Sequence, residues 1–228
     1  MTQIAPLLHE ATLESMIRCR LLFLGPMPTA AYNQMATQDM RDLVAYLRML
    51  PRVDHPLSPD ALAPGFVPPP LNQAISVPAV APSGLTAERG AYLVQQGDCT
   101  DCHTPRGPNG APDETRHLAG GGQSYKQADG QVVLPPNLTP AGPLSSWSDD
   151  EIVNAIRQGR APDSHQLNPL MPYASAYHVY TDTDVRACSR LSAIAAAGGE
   201  RPATQPRVAR RAVLATRHNG ACRQLERW

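Results

Sequence analysis

The sequence predicts a mainly α-helical protein with one short β-hairpin. Two observations lead to this. Apolar residues recur at helical spacing in three separate stretches, each with recognisable end signals. Strand-like alternation is confined to one place, around Asp129-Gly130.

The first helical stretch is Thr37 to Leu50, where Met40, Leu43, Val44, Leu47 and Leu50 share a face and Pro51 stops the helix. Residues 51–84 follow as a linker, and nine prolines between 51 and 82, including Pro68, Pro69 and Pro70, mark it as extended. Thr86 is placed to cap a second helix through Gln96, with Ala87, Ala91, Leu93 and Val94 for packing. The Gly120–Gly122 run reads as a loop. Asp129-Gly130, between Ser124–Ala128 and Gln131–Leu134, reads as a hairpin turn. Ser148-Asp-Asp-Glu151 is a capping box for a helix from Asp149 to Gln158, ended by Gly159. Asp182 opens a last helix with Val185 on its apolar side.

Bulk properties restrict the function. Net charge is zero, so nothing recommends a nucleic-acid partner. No run of about eighteen apolar residues suggests a membrane span, so membrane association is expected only through a partner or a missing segment. Met1 to Gly25 interleaves Glu10, Glu14, Arg18 and Arg20 with apolar residues and does not read as a signal peptide. The five cysteines, at 19, 99, 102, 188 and 222, are odd in number and form only one close pair, unlike a disulfide framework.

That pair carries the chemistry. Residues 97–103 read Gly-Asp-Cys-Thr-Asp-Cys-His. Cys-x-x-Cys-His is the attachment signal for a c-type haem. Two thiols one helical turn apart can add to the two vinyl groups on one porphyrin edge, and His103 then stands under the iron. Composition alone would give such a run about 0.003 times by chance. Zinc would ask for about four ligands, and a redox dithiol would ask for a βαβ setting; neither context surrounds Cys99 and Cys102. One covalent haem c is therefore expected, on Cys99, Cys102 and His103. A second axial ligand should lie downstream. Met171 is the only methionine after His103, and Pro172 stiffens its loop. A core-filling role for Met171 is the plain alternative, and His165 and His178 are rival ligands.

Residues 25–41, GPMPTAAYNQMATQDMR, resemble residues 169–186, PLMPYASAYHVYTDTDVR. Both place Met-Pro before Tyr, then Thr, then Asp-x-Arg. The chain thus reads as two related units.

Residues 88–187, with ERGAYLV, CTDCHTPRG, LAGGG, PPNLTP, WSDDEIVNAIRQG and PLMPY in order, resemble a class I cytochrome c domain. The resemblance is to the diheme cytochrome c subunits of flavin- or quinone-linked sugar and alcohol dehydrogenases. It implies a small helical cytochrome c domain at 85–187, with Cys99, Cys102, His103 and Met171 holding the haem. It places Asn137, Leu138, Thr139 and Pro140 at the haem edge. Arg106 and Trp147 become propionate partners, with simple packing an equal reading of Trp147. It implies an electron carrier in a periplasmic respiratory chain rather than an enzyme, with a dehydrogenase as donor and an oxidase or cytochrome as acceptor. The other readings are a haem oxidoreductase acting on thiosulfate or peroxide, and a non-functional fragment.

The chain departs from the pattern twice. Residues 1–50 match only the C-terminal half of a first cytochrome c-like unit: no Cys-x-x-Cys-His precedes Met27, and Cys19 stands alone. After Ala187 comes CSRLSAIAAAGG where the pattern wants a helix like Asp42–Pro51. One coding of that string, read one base later, gives ARAYLRSLPP. Residues 188–228, with eight Arg and two Glu, are therefore expected to be an aberrant, disordered basic tail. The helix Thr37–Leu50, carrying Ala45, Tyr46 and Leu47, is then expected beside Thr86–Gln96 in place of the missing one, or else the haem domain is marginal.

Overall fold

The computed structural model describes residues 13–14, 17–18, 29–51, 53, 77–108 and 110–196. Cys19, Met27, the prolines 68–70 and the tail 197–228 lie outside them. The chain divides into two units between Ala81 and Pro82. Their helices are α1 (Thr29–Asn33) and α2 (Thr37–Met49) in the first, and α3 (Ala87–Gln96), α4 (Cys99–His103), α5 (Asp149–Gln158) and α6 (Asp182–Ala196) in the second. A two-stranded antiparallel sheet, β1 (Tyr125–Lys126) and β2 (Val132–Val133), pairs Tyr125 with Val133 and Lys126 with Val132. The protein is thus mainly α with one small sheet, consistent with a small helical cytochrome c domain.

In the first unit, α2 buries Met40 and Val44 against Leu13 and Ile17, with Tyr32, Met35, Leu43 and Leu47 around them. Ala36 offers no side-chain cap to α2. Two carbonyls of the proline-rich stretch serve instead, Pro78 for the Thr37 N–H and Ala79 for the Gln38 N–H, each at 3.0 Å. Arg18, ion-paired with Glu14 at 2.9 Å, donates to the carbonyl of Tyr32 at the end of α1 and to that of Met35 just beyond it.

In the second unit the expected caps are present. Thr86 Oγ1 accepts from the Arg89 N–H at 3.1 Å. Ser148 and Glu151 close the capping box, and Gly159 ends α5 in the left-handed conformation at φ 66°. Gly130, at φ 85°, makes the hairpin turn, although the strands are shorter than the alternation suggested. Thr181 caps α6 by accepting from the Asp184 N–H.

The Asp-x-Arg of each repeat enters a helix, and the residue between is sealed in the core. Met40 and Val185 are both 0% exposed.

Two apolar clusters organise this unit. Ala91, Val94 and Leu118 gather Cys99, Leu138 and Cys188. Ile152, Val153 and Val185 gather Leu144, Trp147, Ile156 and Tyr180. Each fully buried aliphatic side chain contributes about 1.5–3 kcal/mol. Helices α3 and α6 cross at Gly90, where a Cβ would meet the Ala187 carbonyl oxygen at 1.9 Å and Cys188 Cα at 3.2 Å. The Arg89–Asp184 ion pair, at 2.9 Å, fixes the same crossing.

This corrects two expectations. Helix α6 does not end at Ala187 but continues to Ala196. Residues past that boundary make structural contacts: Ser189 Oγ donates to Asp149 at 3.1 Å, and Arg190 lies 3.9 Å from the same carboxylate. The place against Gly90 is filled by Ala187 and Cys188 of α6, where the helix Thr37–Leu50 was expected. A small residue at the crossing lets the backbones touch, and no aromatic is needed there. Among the described residues, no helix is long and apolar enough to cross a membrane.

Candidate functional site

The site is built on α4, a single turn holding Cys99, Cys102 and His103. Asp98 starts it in the left-handed conformation, at φ 55°. A helix this short has too few internal bonds to stand alone. Its C-terminal carbonyls are satisfied by the glycine loop: the Gly120 N–H donates to His103 O at 2.7 Å and the Gly122 N–H to Cys102 O at 3.0 Å. A Cβ at Gly122 would fall 2.3 Å from Thr104 O and 2.5 Å from Cys102 O. Glycine is therefore required where the loop presses on the helix end. Thr104, fully buried, accepts from the Leu118 N–H at 3.0 Å and ties the two segments again.

His103 is buried, and its Nδ1 lies 2.8 Å from the Pro136 carbonyl. A carbonyl only accepts, so Nδ1 carries the proton and Nε2 presents its lone pair. Burial lowers the imidazole pKa, outweighing the bond to Pro136, which raises it, and so favours the neutral ring. A neutral ring held through one nitrogen is the form in which histidine binds a metal through the other. Cys99 and Cys102 are free thiols. Burial, then the charge of Asp98, pushes the Cys99 thiol up to about 12. Cys102 Sγ lies 3.5 Å from the Tyr125 hydroxyl. Among the described residues no three of His, Cys, Asp or Glu converge as a cation site. The two thiols and the imidazole thus do not close on one centre, as a zinc cage would demand.

The remaining expected residues fall as follows. Asn137 folds the NLTP segment: its Oδ1 accepts from Thr139 N–H at 2.8 Å and from Thr139 Oγ1 at 2.7 Å. The Leu138 N–H donates to Leu118 O at 2.9 Å, and its side chain joins the cluster that Cys99 also touches. Arg106 is already ion-paired with Asp101 and also donates to the Asp101 carbonyl at 3.1 Å. Trp147 packs against the cluster of Ile152, Val153 and Val185. Met171 is half-buried in a turn, its N–H donating to Asn168 O at 3.0 Å and its carbonyl accepting from Tyr173 N–H at 2.8 Å. Tyr177 fastens that segment to the front of α4, donating its hydroxyl to Gly97 O at 2.8 Å. His165 and His178 are exposed, and His165 is engaged by Asp163.

Sequence reasoning missed Pro136, Tyr125 and Tyr177. Pro136 acts through a backbone carbonyl that no side-chain pattern marks. Gly120 and Gly122 were legible as a loop but not as the support of α4.

Asp98 provides a test of the local electrostatics. Burial, then the charge of Asp101, raises its carboxyl to about 6, with Arg106 opposing. A raised folded-state pKa means that stability present at low pH is lost as pH rises towards 6. Asp98→Asn, which tolerates the left-handed backbone, should stabilise the haem-free chain by about 1 kcal/mol at neutral pH, after discounting for solvent screening. Near pH 4 it should change little. Urea unfolding at both pH values reads this. An equal effect at both would mean that Asp98 acts by packing and not by charge.

No family model matches the chain. It is 36% identical over 149 residues to a diheme cytochrome c-type protein of Cereibacter sphaeroides, covering 60% of this chain and 46% of that protein. It is 28% identical over 160 residues to the fructose dehydrogenase cytochrome subunit of Gluconobacter japonicus, covering 63% and 31%. It is 34% identical over 102 residues to the gluconate 2-dehydrogenase cytochrome c subunit of Pantoea cypripedii, covering 44% and 21%. The chain spans less than half the length of each of these relatives. By sequence, then, this chain is similar to diheme cytochromes c and to the cytochrome c subunits of sugar and alcohol dehydrogenases.

Proposed function

We propose that this chain holds one haem c covalently and passes single electrons between a dehydrogenase and an oxidase or a second cytochrome, on the periplasmic side of a respiratory membrane. The observation that carries the proposal is the pairing of His103 Nδ1 with the Pro136 carbonyl, on a one-turn helix that also presents Cys99 and Cys102 as free thiols. The relatives' names support it, since each is a cytochrome c or a cytochrome subunit of a dehydrogenase.

The bound haem supplies an iron that cycles between Fe(II) and Fe(III). The chain's residues do the rest. Cys99 and Cys102 would hold the haem through thioethers. His103 would bind its iron through Nε2, with the ring held in orientation by Pro136. Met171, in a loop tied by Tyr177 to Gly97, would offer its sulfur to the same iron. A thioether from Met171 would favour Fe(II) and would leave no place on the iron for a substrate, which suits a carrier better than an enzyme. Asn137, Leu138 and Thr139 form the wall beside Leu118. Arg106 and Trp147 remain the proposed propionate partners, Arg106 by sharing its guanidinium with Asp101.

Stoichiometry is the direct test. The full chain, produced in a host that attaches haem c, should give one haem per chain by pyridine haemochrome assay. Cys99→Ser/Cys102→Ser should retain none after acid–acetone extraction. A ratio near two, or retention in the double variant, would overturn the assignment of a single site at Cys99, Cys102 and His103.

A further inference from the structure

Cys188 is the third cysteine of the second unit, and the haem motif has no use for it. It lies at the α3–α6 crossing, where a Cβ on Gly90 would come within 3.2 Å of its Cα. From there it packs against the cluster of Ala91, Val94 and Leu118, against which Cys99 also packs. Both thiols are free. The cluster has three buried members, so both thiols border one small apolar patch, poor in water. The charge of Cys99 is felt at Cys188, where it adds to the burial that raises that thiol.

We propose that, in the haem-free chain, Cys188 and Cys99 join as a disulfide when a disulfide oxidant is present, and that this bond competes with haem attachment at Cys99. The second clause rests on the reading of Cys99 as an attachment thiol; the first does not. The chemistry is ordinary exchange. With glutathione disulfide as oxidant, the Cys188 thiolate attacks one sulfur and releases one glutathione thiol. The Cys99 thiolate then attacks Cys188 Sγ in the mixed disulfide and releases the second. Two protein thiols lose two protons and two electrons, and one glutathione disulfide becomes two thiols. A sulfur bonded to Cys188 cannot add to a vinyl group, so Cys99 is withdrawn from attachment while Cys102 is left alone.

The test uses the full haem-free chain, reduced, then equilibrated in a glutathione redox buffer, acid-quenched, alkylated and mapped by mass spectrometry. Trypsin leaves Cys99 and Cys102 in one peptide, and fragmentation between Thr100 and Asp101 separates them. The expected product links Cys99 to Cys188 in native buffer and largely disappears in urea. Finding Cys99 linked chiefly to Cys102, or Cys188 free or linked to Cys19 or Cys222, would overturn the proposal. In the second arm, Cys188→Ser and Cys188→Ala are matured beside the wild type under oxidising conditions. At least a twofold gain in haem per chain is expected. If the link maps as expected but neither variant gains haem, the competition is refuted. If the link maps but no variant or wild type takes haem at all, the haem reading fails while the disulfide stands.

Discussion

Gly90→Ala should cost the second unit about 3 kcal/mol, a large part of the 5–15 kcal/mol that holds an ordinary domain. The added methyl would lie 1.9 Å from the Ala187 carbonyl oxygen and 2.6 Å from its carbon. Both are backbone atoms of α6, so no side chain can swing aside. The helices must part, and Val185 and Ala187, each 0% exposed, then lose their packing. Intrinsic helix propensity works in the opposite direction, favouring Ala over Gly by about 1 kcal/mol in a helix interior. A measured loss therefore reports the crossing and not the helix. Urea unfolding of the full chain, followed by far-ultraviolet circular dichroism, should show an early transition in the variant. A neutral or stabilising result would mean that α3 and α6 do not meet at Gly90.

The crossing also shows where sequence reading succeeds and where it stops. Thr86, Ser148, Glu151 and Gly159 were legible as caps because capping is local: donor and acceptor lie within a few residues. Cys99, Cys102 and His103 stood out because haem attachment would demand that spacing, and the structure sets all three on α4. Cys188 to Ala196 misled because a shift of composition at Ala187 looked like the end of folded sequence. The helix continues there because Ser189 reaches Asp149, forty residues back, and because Gly90 accepts a bare backbone. Tyr46, expected at the crossing with Gly90, is 61% exposed, and α2 turns Met40 and Val44 inward. The Pro136 carbonyl, 33 residues from His103, is a backbone group, so neither residue type nor spacing announces it. The Arg106–Asp101 ion pair was not legible either, since nothing in the run of residues 101–106 says which side chains turn towards each other.

Met171→Ala should leave the haem covalently attached and change its electronic state. Attachment depends on Cys99 and Cys102, which lie on α4 and owe nothing to residue 171 for their position; the glycine loop and Pro136 hold that helix. If Met171 supplies the second ligand, the two histidines near it in sequence are poorly placed to replace its sulfur. His165 and His178 are exposed, and His165 is occupied by Asp163 at 2.5 Å. Within the described residues the segment is braced on both sides of Met171, by Asn168 before it and by Tyr173 and Tyr177 after it. Rearranging the loop to bring in another ligand would break those bonds. The oxidised wild type should show the sulfur-to-iron charge-transfer band at the red edge of the visible spectrum, and the variant should lack it. The midpoint potential should fall by about 0.2 V, within the roughly 0.8 V that axial ligands command. The opened iron should then bind small exogenous ligands such as imidazole or cyanide, which the wild type resists. Tyr177→Phe, which removes only the hydroxyl that reaches Gly97, should weaken the band without abolishing it. A wild type that lacks the band, or a Met171→Ala variant that keeps it, would remove Met171 from the iron and reopen the case for a haem that acts on substrates.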